Sequence, residues 1–225
     1  MKSDRSSKAL LLVGSPRYSR SNSESIGSYL LSRLQTAGWQ TEMVRILPAL
    51  GSVERSERLA MEIEASDVVI LTMPLYVDSL PAPVIRMMEI LKNRGIASAA
   101  GKRFLAIVNS GFPESYHNDV ALIICRQFAC EVGLFWYGGL SVGGGEVIGG
   151  RPFTKVGGAV RYLRAALDLT ADALVSGQPF PEQASVLAAK PAFPAFFYRW
   201  LGNRAMRKEA RKYGRDLRAK PFGDL

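Results

Sequence analysis

The chain has one histidine and two cysteines in 225 residues, and it lacks any long apolar run. A single histidine excludes a His-rich metal centre and makes any Ser-His-Asp enzyme depend on His117. Two cysteines cannot build a disulfide framework or a four-cysteine metal site. Cys125 and Cys130 stand five apart on an expected helix, so they face different directions, and both read as buried structural residues. The apolar run nearest the start, Ala9 to Val13, is far below the roughly 20 residues of a membrane span. It is also too short for the core of a signal peptide. A cytoplasmic, reducing location is expected.

Acidic residues are scarce in one region only. Residues 1–150 carry 15 Lys/Arg against 14 Asp/Glu, whereas residues 151–225 carry 14 against 6. From Arg199 to Lys220 there are nine basic residues and two acidic ones. The formal net charge of +9 is therefore a property of the tail, and the first 150 residues are nearly neutral. With 48% hydrophobic and 22% charged residues the composition is that of an ordinary globular domain.

What is present is alternation. Lys8–Gly14, a short continuous apolar run, and Trp39–Ile46, Asp67–Met73, Lys102–Asn109 and Leu134–Leu140 read as strands. Between them Ser23–Ala37, Val53–Ala65, Pro81–Asn93 and Asn118–Val132 show helical spacing. Strands alternating with helices predict a parallel sheet covered on both faces, the α/β class. Beyond residue 140 the pattern loosens. Ser141–Gly150 holds five glycines and reads as a loop. Phe153–Val175 reads as one long helix, Gly177–Pro194 as a connector, and Ala195–Leu217 as a helix with a basic face. The expected division is a main domain, 1–176, and a connector with a basic helical extension, 177–225.

Ligands of an open parallel sheet bind at the carboxyl ends of its strands. After the first strand comes Gly14-Ser15-Pro16-Arg17-Tyr18-Ser19-Arg20-Ser21-Asn22-Ser23, which runs straight into a helix. The first N–H groups of that helix have no intrahelical acceptor and its dipole favours an anion, so a phosphate fits there. An ordinary capped turn would use the same serines and asparagine. The loop is neither a Walker A sequence nor Gly-x-Gly-x-x-Gly, and binding through hydroxyls points to a mononucleotide. After the third strand comes Pro74-Leu75-Tyr76-Val77-Asp78-Ser79-Leu80-Pro81-Ala82-Pro83, and after the fourth Asn109-Ser110-Gly111-Phe112.

Gly-Ser-Pro-Arg followed by Asn-Ser resembles the phosphate loop of the NADPH-dependent FMN reductase family, and Pro-x-Tyr-x-x-Ser-x-Pro-Ala-Pro is similar to that family's isoalloxazine loop. Both occur in order, and the resemblance covers roughly residues 8–150. It implies a flavodoxin-like three-layer sandwich whose five-stranded parallel sheet has the order 2-1-3-4-5, with a helical C-terminal extension. It implies bound FMN, with NADPH or NADH as hydride donor. Ser15, Arg17, Ser21, Asn22 and Ser23 would surround the FMN phosphate. Pro74, Leu75, Tyr76 and Val77 would lie along the flavin, and Asn109, Ser110 and Gly111 would meet its other edge or the ribityl chain. Flavin N5 would carry the chemistry, so no side chain is assigned as catalytic and no metal is expected. The acceptor would be a small molecule: a quinone, a nitro or azo compound, or free flavin. A homodimer or homotetramer is implied, because relatives often complete the flavin site with a second subunit. Two departures stand out. The loop between Arg17 and Asn22 is one residue longer than the common spacing, and Val77 stands where many relatives carry an aromatic residue.

Other signals have plainer readings. Gly139-Leu140-Ser141-Val142-Gly143 matches the hydrolase Gly-x-Ser-x-Gly pattern, but His117 precedes it and glycines replace the following helix. His117, Phe112 and Tyr116 share one loop and would border the flavin or simply pack. Trp136 and Tyr137 read as core. The stretch from Phe193 through Trp200 to Arg218 would suit an anionic membrane surface, nucleic acid, or the 2′-phosphate of NADPH across a subunit boundary. A solvated basic helix explains it more simply, so no nucleic acid is expected and membrane contact is not favoured. An electron-transfer flavoprotein with little reductase turnover is the alternative function.

Overall fold

A computed structural model describes residues 6–17, 19–97, 99–193 and 195–215. Its elements are β1 (Lys8–Val13), α1 (Asn22–Thr36), β2 (Gln40–Arg45), α2 (Ile46–Ala49), α3 (Val53–Glu64), β3 (Val68–Pro74) and α4 (Ala82–Arg94). There follow β4 (Arg103–Asn109), α5 (Asp119–Glu131), β5 (Phe135–Val142), α6 (Phe153–Val156), α7 (Arg161–Val175), α8 (Glu182–Ala188) and α9 (Ala195–Lys212). The five strands form one parallel sheet in the order β2-β1-β3-β4-β5.

The three inner strands are buried along nearly their whole length, which is why their sequences are continuous apolar runs and do not alternate. Leu11, Val13, Ile70 and Ile107 point to one face, where α1, α7 and α8 supply Ile26, Leu30, Leu34, Leu167 and Ala184. Leu10, Leu12, Leu71 and Val108 point to the other, against α3, α4 and α5. The result is a three-layer, flavodoxin-like sandwich. Each fully buried leucine stabilises it by about 1.5–3 kcal/mol relative to exposure.

The chain divides into two compact units, one running to Ala192 and the other from Phe193. Two expectations for the later part of the first unit need correction. The long helix over 153–175 is broken, because Gly157 at φ 72° ends α6 and a 3₁₀ turn over Gly157–Val160 precedes α7. Residues 177–194 are more than a connector. They contain α8, whose Ala184 and Ala188 are buried, and Phe180 packs edge-on against Tyr137 at 5.7 Å. A β-carbon at Gly138 of β5 would come within 2.4 Å of the Phe180 ring, so β5 carries glycine where this segment crosses it.

In the second unit α9 presents Trp200, Arg204, Arg207, Lys208 and Arg211 along one side, with the Arg204 guanidinium 5.7 Å from the Trp200 ring. Pro194 and Arg218, which the sequence groups with this helix, lie outside the described residues. Among the described residues no helix is long and apolar enough to cross a membrane, and no cluster of ligating side chains could hold a metal.

Candidate functional site

Strand β1 ends where Gly14 donates its N–H to Thr72 of β3 at 2.7 Å. A β-carbon at Gly14 would lie 2.5 Å from Val84 and 2.9 Å from Met73, so only glycine lets the chain leave the sheet beside α4. The chain then turns over Ser15–Arg20 and enters α1 with Ser21 as N-cap. The Ser21 hydroxyl accepts from the Glu24 N–H at 3.0 Å and its carbonyl accepts from the Ser25 N–H. The N–H groups of Asn22 and Ser23 remain available, as the first donors of a helix do. Glu24, in the first turn, is held by Arg45 of β2 at 2.7 Å, so its charge does not cancel the positive helix end.

Three hydrogen bonds tie the helix start and the neighbouring strand ends to one another. The Ser23 hydroxyl donates to Asn109 Oδ1 at 2.7 Å, and both residues are buried. The Leu75 N–H donates to the Asn109 carbonyl at 2.9 Å, joining β3 to β4 beyond their paired strands. Asn22 Oδ1 accepts from the Gly150 N–H at 2.8 Å, which brings the glycine-rich segment after β5 against the same helix end. Gly150 sits at φ 64°, and a β-carbon there would stand 1.7 Å from the Arg20 carbonyl oxygen, so the contact needs glycine twice over.

A pit of about 120 Å³ opens between these loops. Ser15, Arg17, Ser21, Asn22 and Ser23 form one side of it, Pro74, Leu75 and Tyr76 a second, and Asn109 and Gly111 a third. Two of the residues expected in the site do not line it. Ser110 is buried and spent on structure: its N–H donates to Val142, its carbonyl accepts from Gly145, and its hydroxyl reaches Phe112 at 3.4 Å. Val77 is 99% exposed at the tip of a two-residue turn closed by reciprocal Tyr76–Ser79 backbone bonds of 2.9 and 3.0 Å. Val77 and Asp78 have φ of 49° and 55°, the type I′ geometry that Asn-Gly usually provides. A β-branched residue there is strained by about 1–2 kcal/mol.

One lining residue escapes sequence reasoning. Glu146, in a 3₁₀ turn after β5, borders the pit with its Cγ 3.8 Å from a β-carbon placed on Gly111. Its only sequence signal is a lone acid among five glycines.

Serine hydroxyls, one arginine and open helix N–H groups suit a phosphate monoester. The pit is small beside the roughly 300–1,000 Å³ of most small-molecule sites. It fits the phosphate end of FMN, while a flavin ring would lie over Tyr76 and Gly111, which are exposed. The residues therefore fit FMN through its polar end.

The remaining candidates find structural places. Ser141 donates to the Ser115 carbonyl and accepts from Asn118 Nδ2 at 3.1 Å, so the hydrolase-like serine is tied into a turn. His117 lies between Phe112 and Tyr116, with ring centroids at 4.6 and 4.4 Å. Cys125 is buried, and its thiol is pushed up to about 12 by desolvation, which makes it inert. Cys130, expected to be buried, is exposed, because five residues along a helix turn it away from the sheet. Tyr137 is core and Trp136 packs at its margin.

Residues 7–123 match the model of a family described as NADPH-dependent FMN reductase. Among solved structures, an FMN-dependent NADH-azoreductase from Bacillus anthracis, in complex with FMN, superposes with a TM-score of 0.55 at 14% identity over 75% of this chain and 99% of that one. An NADH:FMN oxidoreductase in its apo form gives 0.57 at 15% over 84% and 97%. The Trp repressor binding protein from Bacillus subtilis gives 0.53 at 11% over 71% and 98%. At these identities the likeness is one of fold. No curated protein matches the sequence.

Proposed function

This chain belongs to the NADPH-dependent FMN reductase family, and on that premise we propose that it uses FMN and NAD(P)H to reduce a small acceptor such as a quinone, a nitro or azo compound, or free flavin. The observation that carries the site assignment is the pit where the loops after β1, β3 and β4 converge on the start of α1. In this reading the N–H groups of Asn22 and Ser23, the Ser15 hydroxyl and Arg17 hold the phosphate. Asn109, at the end of β4, holds the start of α1 through its side chain and the loop after β3 through its carbonyl. Pro74, Leu75, Tyr76 and Val77 border one side of the ring, and Asn109, Ser110 and Gly111 the other, with Ser110 acting through its backbone bonds. Bound FMN supplies a ring that takes two electrons from reduced nicotinamide and passes them to the acceptor. The protein's part is to orient that ring and leave one face open, which the exposed Tyr76–Ser79 turn permits.

Self-association belongs to the same proposal. Tyr116, Val120 and Ile123 recur at i, i+4 and i+7 into α5 and are exposed by 64%, 54% and 65%, an apolar stripe suited to a second copy. A cytoplasmic location is supported by two unpaired cysteines. The unit that runs to Ala192 is the proposed FMN-binding module, and the segment from Phe193 its extension.

The test is the visible spectrum of the purified protein before and after anaerobic NADPH. Flavin absorbance that bleaches supports a reductase. Flavin absorbance that persists, with reduction only by a partner protein, supports an electron carrier. No flavin after soaking with FMN removes the assignment.

A further inference from the structure

The aromatic and basic residues of α9 share one side of the helix. Phe196, Trp200, Arg204, Arg207 and Arg211 follow one another at steps of three or four residues, which keeps them in one row. The row is about 22 Å long at 1.5 Å per residue. Phe197 and Lys208 flank it, each three or four residues from one of its members. Trp200, Asn203, Arg204, Arg207, Lys208 and Arg211 line one continuous groove.

The two halves of that side differ. The first is apolar: Phe196, Phe197 and Trp200 are exposed by 67%, 36% and 54%. Phe193 packs on Phe197 with ring centroids at 5.5 Å, and Phe197 is stacked on Trp200 at 5.7 Å. The second half is cationic, and Arg204, Arg207, Lys208 and Arg211 have no acidic partner among the described residues. Glu209, the one acid of α9, stands two residues from both Arg207 and Arg211 and so faces away from them, pairing with Lys212 at 3.5 Å. A solvated basic helix accounts for the cations. It does not account for three neighbouring aromatic side chains left in water on the side that carries them.

A partner that takes both halves must offer an apolar layer and anionic groups side by side. We propose that α9 docks the protein peripherally on a bilayer containing anionic phospholipid, with Phe196, Phe197 and Trp200 in the interfacial layer and Arg204, Arg207, Lys208 and Arg211 on the lipid phosphates. Aromatic rings settle at the level of the headgroups. A guanidinium grips a phosphate with two N–H groups at once, while its stem lies along apolar surface. Because the division runs along the helix and not around it, the aromatic end enters more deeply than the basic end. Nucleic acid fits less well. Single strands are held by stacking bases on open ring faces, whereas the Trp200 ring has Phe197 stacked on it and the Arg204 guanidinium 5.7 Å from its centroid. The proposal concerns α9 alone and does not depend on the FMN reading.

Co-sedimentation of the full-length protein with vesicles tests this, using phosphatidylcholine alone and phosphatidylcholine mixed equally with phosphatidylglycerol. Binding to the mixed vesicles is expected to be roughly ten-fold tighter or more, and to weaken as salt is raised. Arg204→Gln, Arg207→Gln, Lys208→Gln and Arg211→Gln together should bring that preference within about three-fold. Phe196→Ala, Phe197→Ala and Trp200→Ala together should weaken binding to the mixed vesicles about ten-fold. A further readout uses the original protein. Lipids brominated on their acyl chains should quench its tryptophan emission, and should leave Trp200→Phe, which keeps Trp39 and Trp136, unquenched. Equal binding to both kinds of vesicle, unchanged binding in either multiple variant, or no quenching beyond that of Trp200→Phe would overturn the proposal. So would tighter binding to a single-stranded DNA oligonucleotide than to the mixed vesicles at the same salt, lost in the charge variant, which would make α9 a nucleic-acid surface.

Discussion

The two ends of the pit are built differently. At the α1 end, proposed to hold the phosphate, Ser23 is joined to Asn109 and Asn22 to Gly150 by hydrogen bonds of 2.7 and 2.8 Å, and Ser23 and Asn109 are buried. At the ring end, Tyr76–Ser79 is a turn held only by its own two backbone bonds, with Val77 almost wholly exposed and left-handed. A site that must keep its cofactor yet admit successive substrates needs both kinds of construction. In the proposed reading the fixed end supplies affinity through pre-organised donors, and the open end supplies access.

The largest effect should come from breaking the fixed end. Gly150→Ala demands a left-handed alanine and collides with the Arg20 carbonyl, so the glycine segment must swing away from Asn22. FMN affinity should fall roughly 100-fold, about 2.7 kcal/mol, measured by quenching of flavin fluorescence. An effect below three-fold would mean that the contact between Gly150 and Asn22 does not shape the pit. The open end should respond far less. Val77→Asn replaces a β-branched residue at φ 49° with one that tolerates that region. Relief of about 1 kcal/mol should raise Tm by roughly 2–4 °C in a domain of this size. A lower Tm in differential scanning calorimetry would show that Val77 is held by contacts the strain argument omits.

The same contrast governs what could be read from sequence. The inner strands were legible to within two residues because a strand buried on both faces must be a continuous apolar run, as in Val68–Met73. The loop after β1 was legible as the entry to a capped helix because its polar groups are contiguous and end in a helix cap at Ser21. Gly150 and Glu146 were not, since they reach the site from beyond β5 through a segment without periodicity, and only the folded sheet brings residue 150 to residue 22. The break at Gly157 was missed for a related reason. Gly157-Gly158 is itself a breaker signal, but the apolar spacing on either side continued through the pair and outweighed it. Residues 177–194 read as a connector because the segment is rich in proline and alanine, yet its small alanines let α8 pack closely on α7 and β5. Ser110 and Val77 were placed in the site by motif position, which says which loop a residue belongs to and nothing about whether its side chain faces the pit.

The central claim is that the start of α1 holds a phosphate. It is tested most directly by measuring the affinities of FMN and riboflavin for the original protein and for Asn22→Asp. An aspartate at 22 can still accept from the Gly150 N–H, so the loop keeps its tie while a negative charge is added beside the pit. The account predicts that FMN affinity falls at least ten-fold and that riboflavin, which lacks the phosphate, binds within two-fold of its original strength. Equal losses for both ligands, or no loss for FMN, would contradict it.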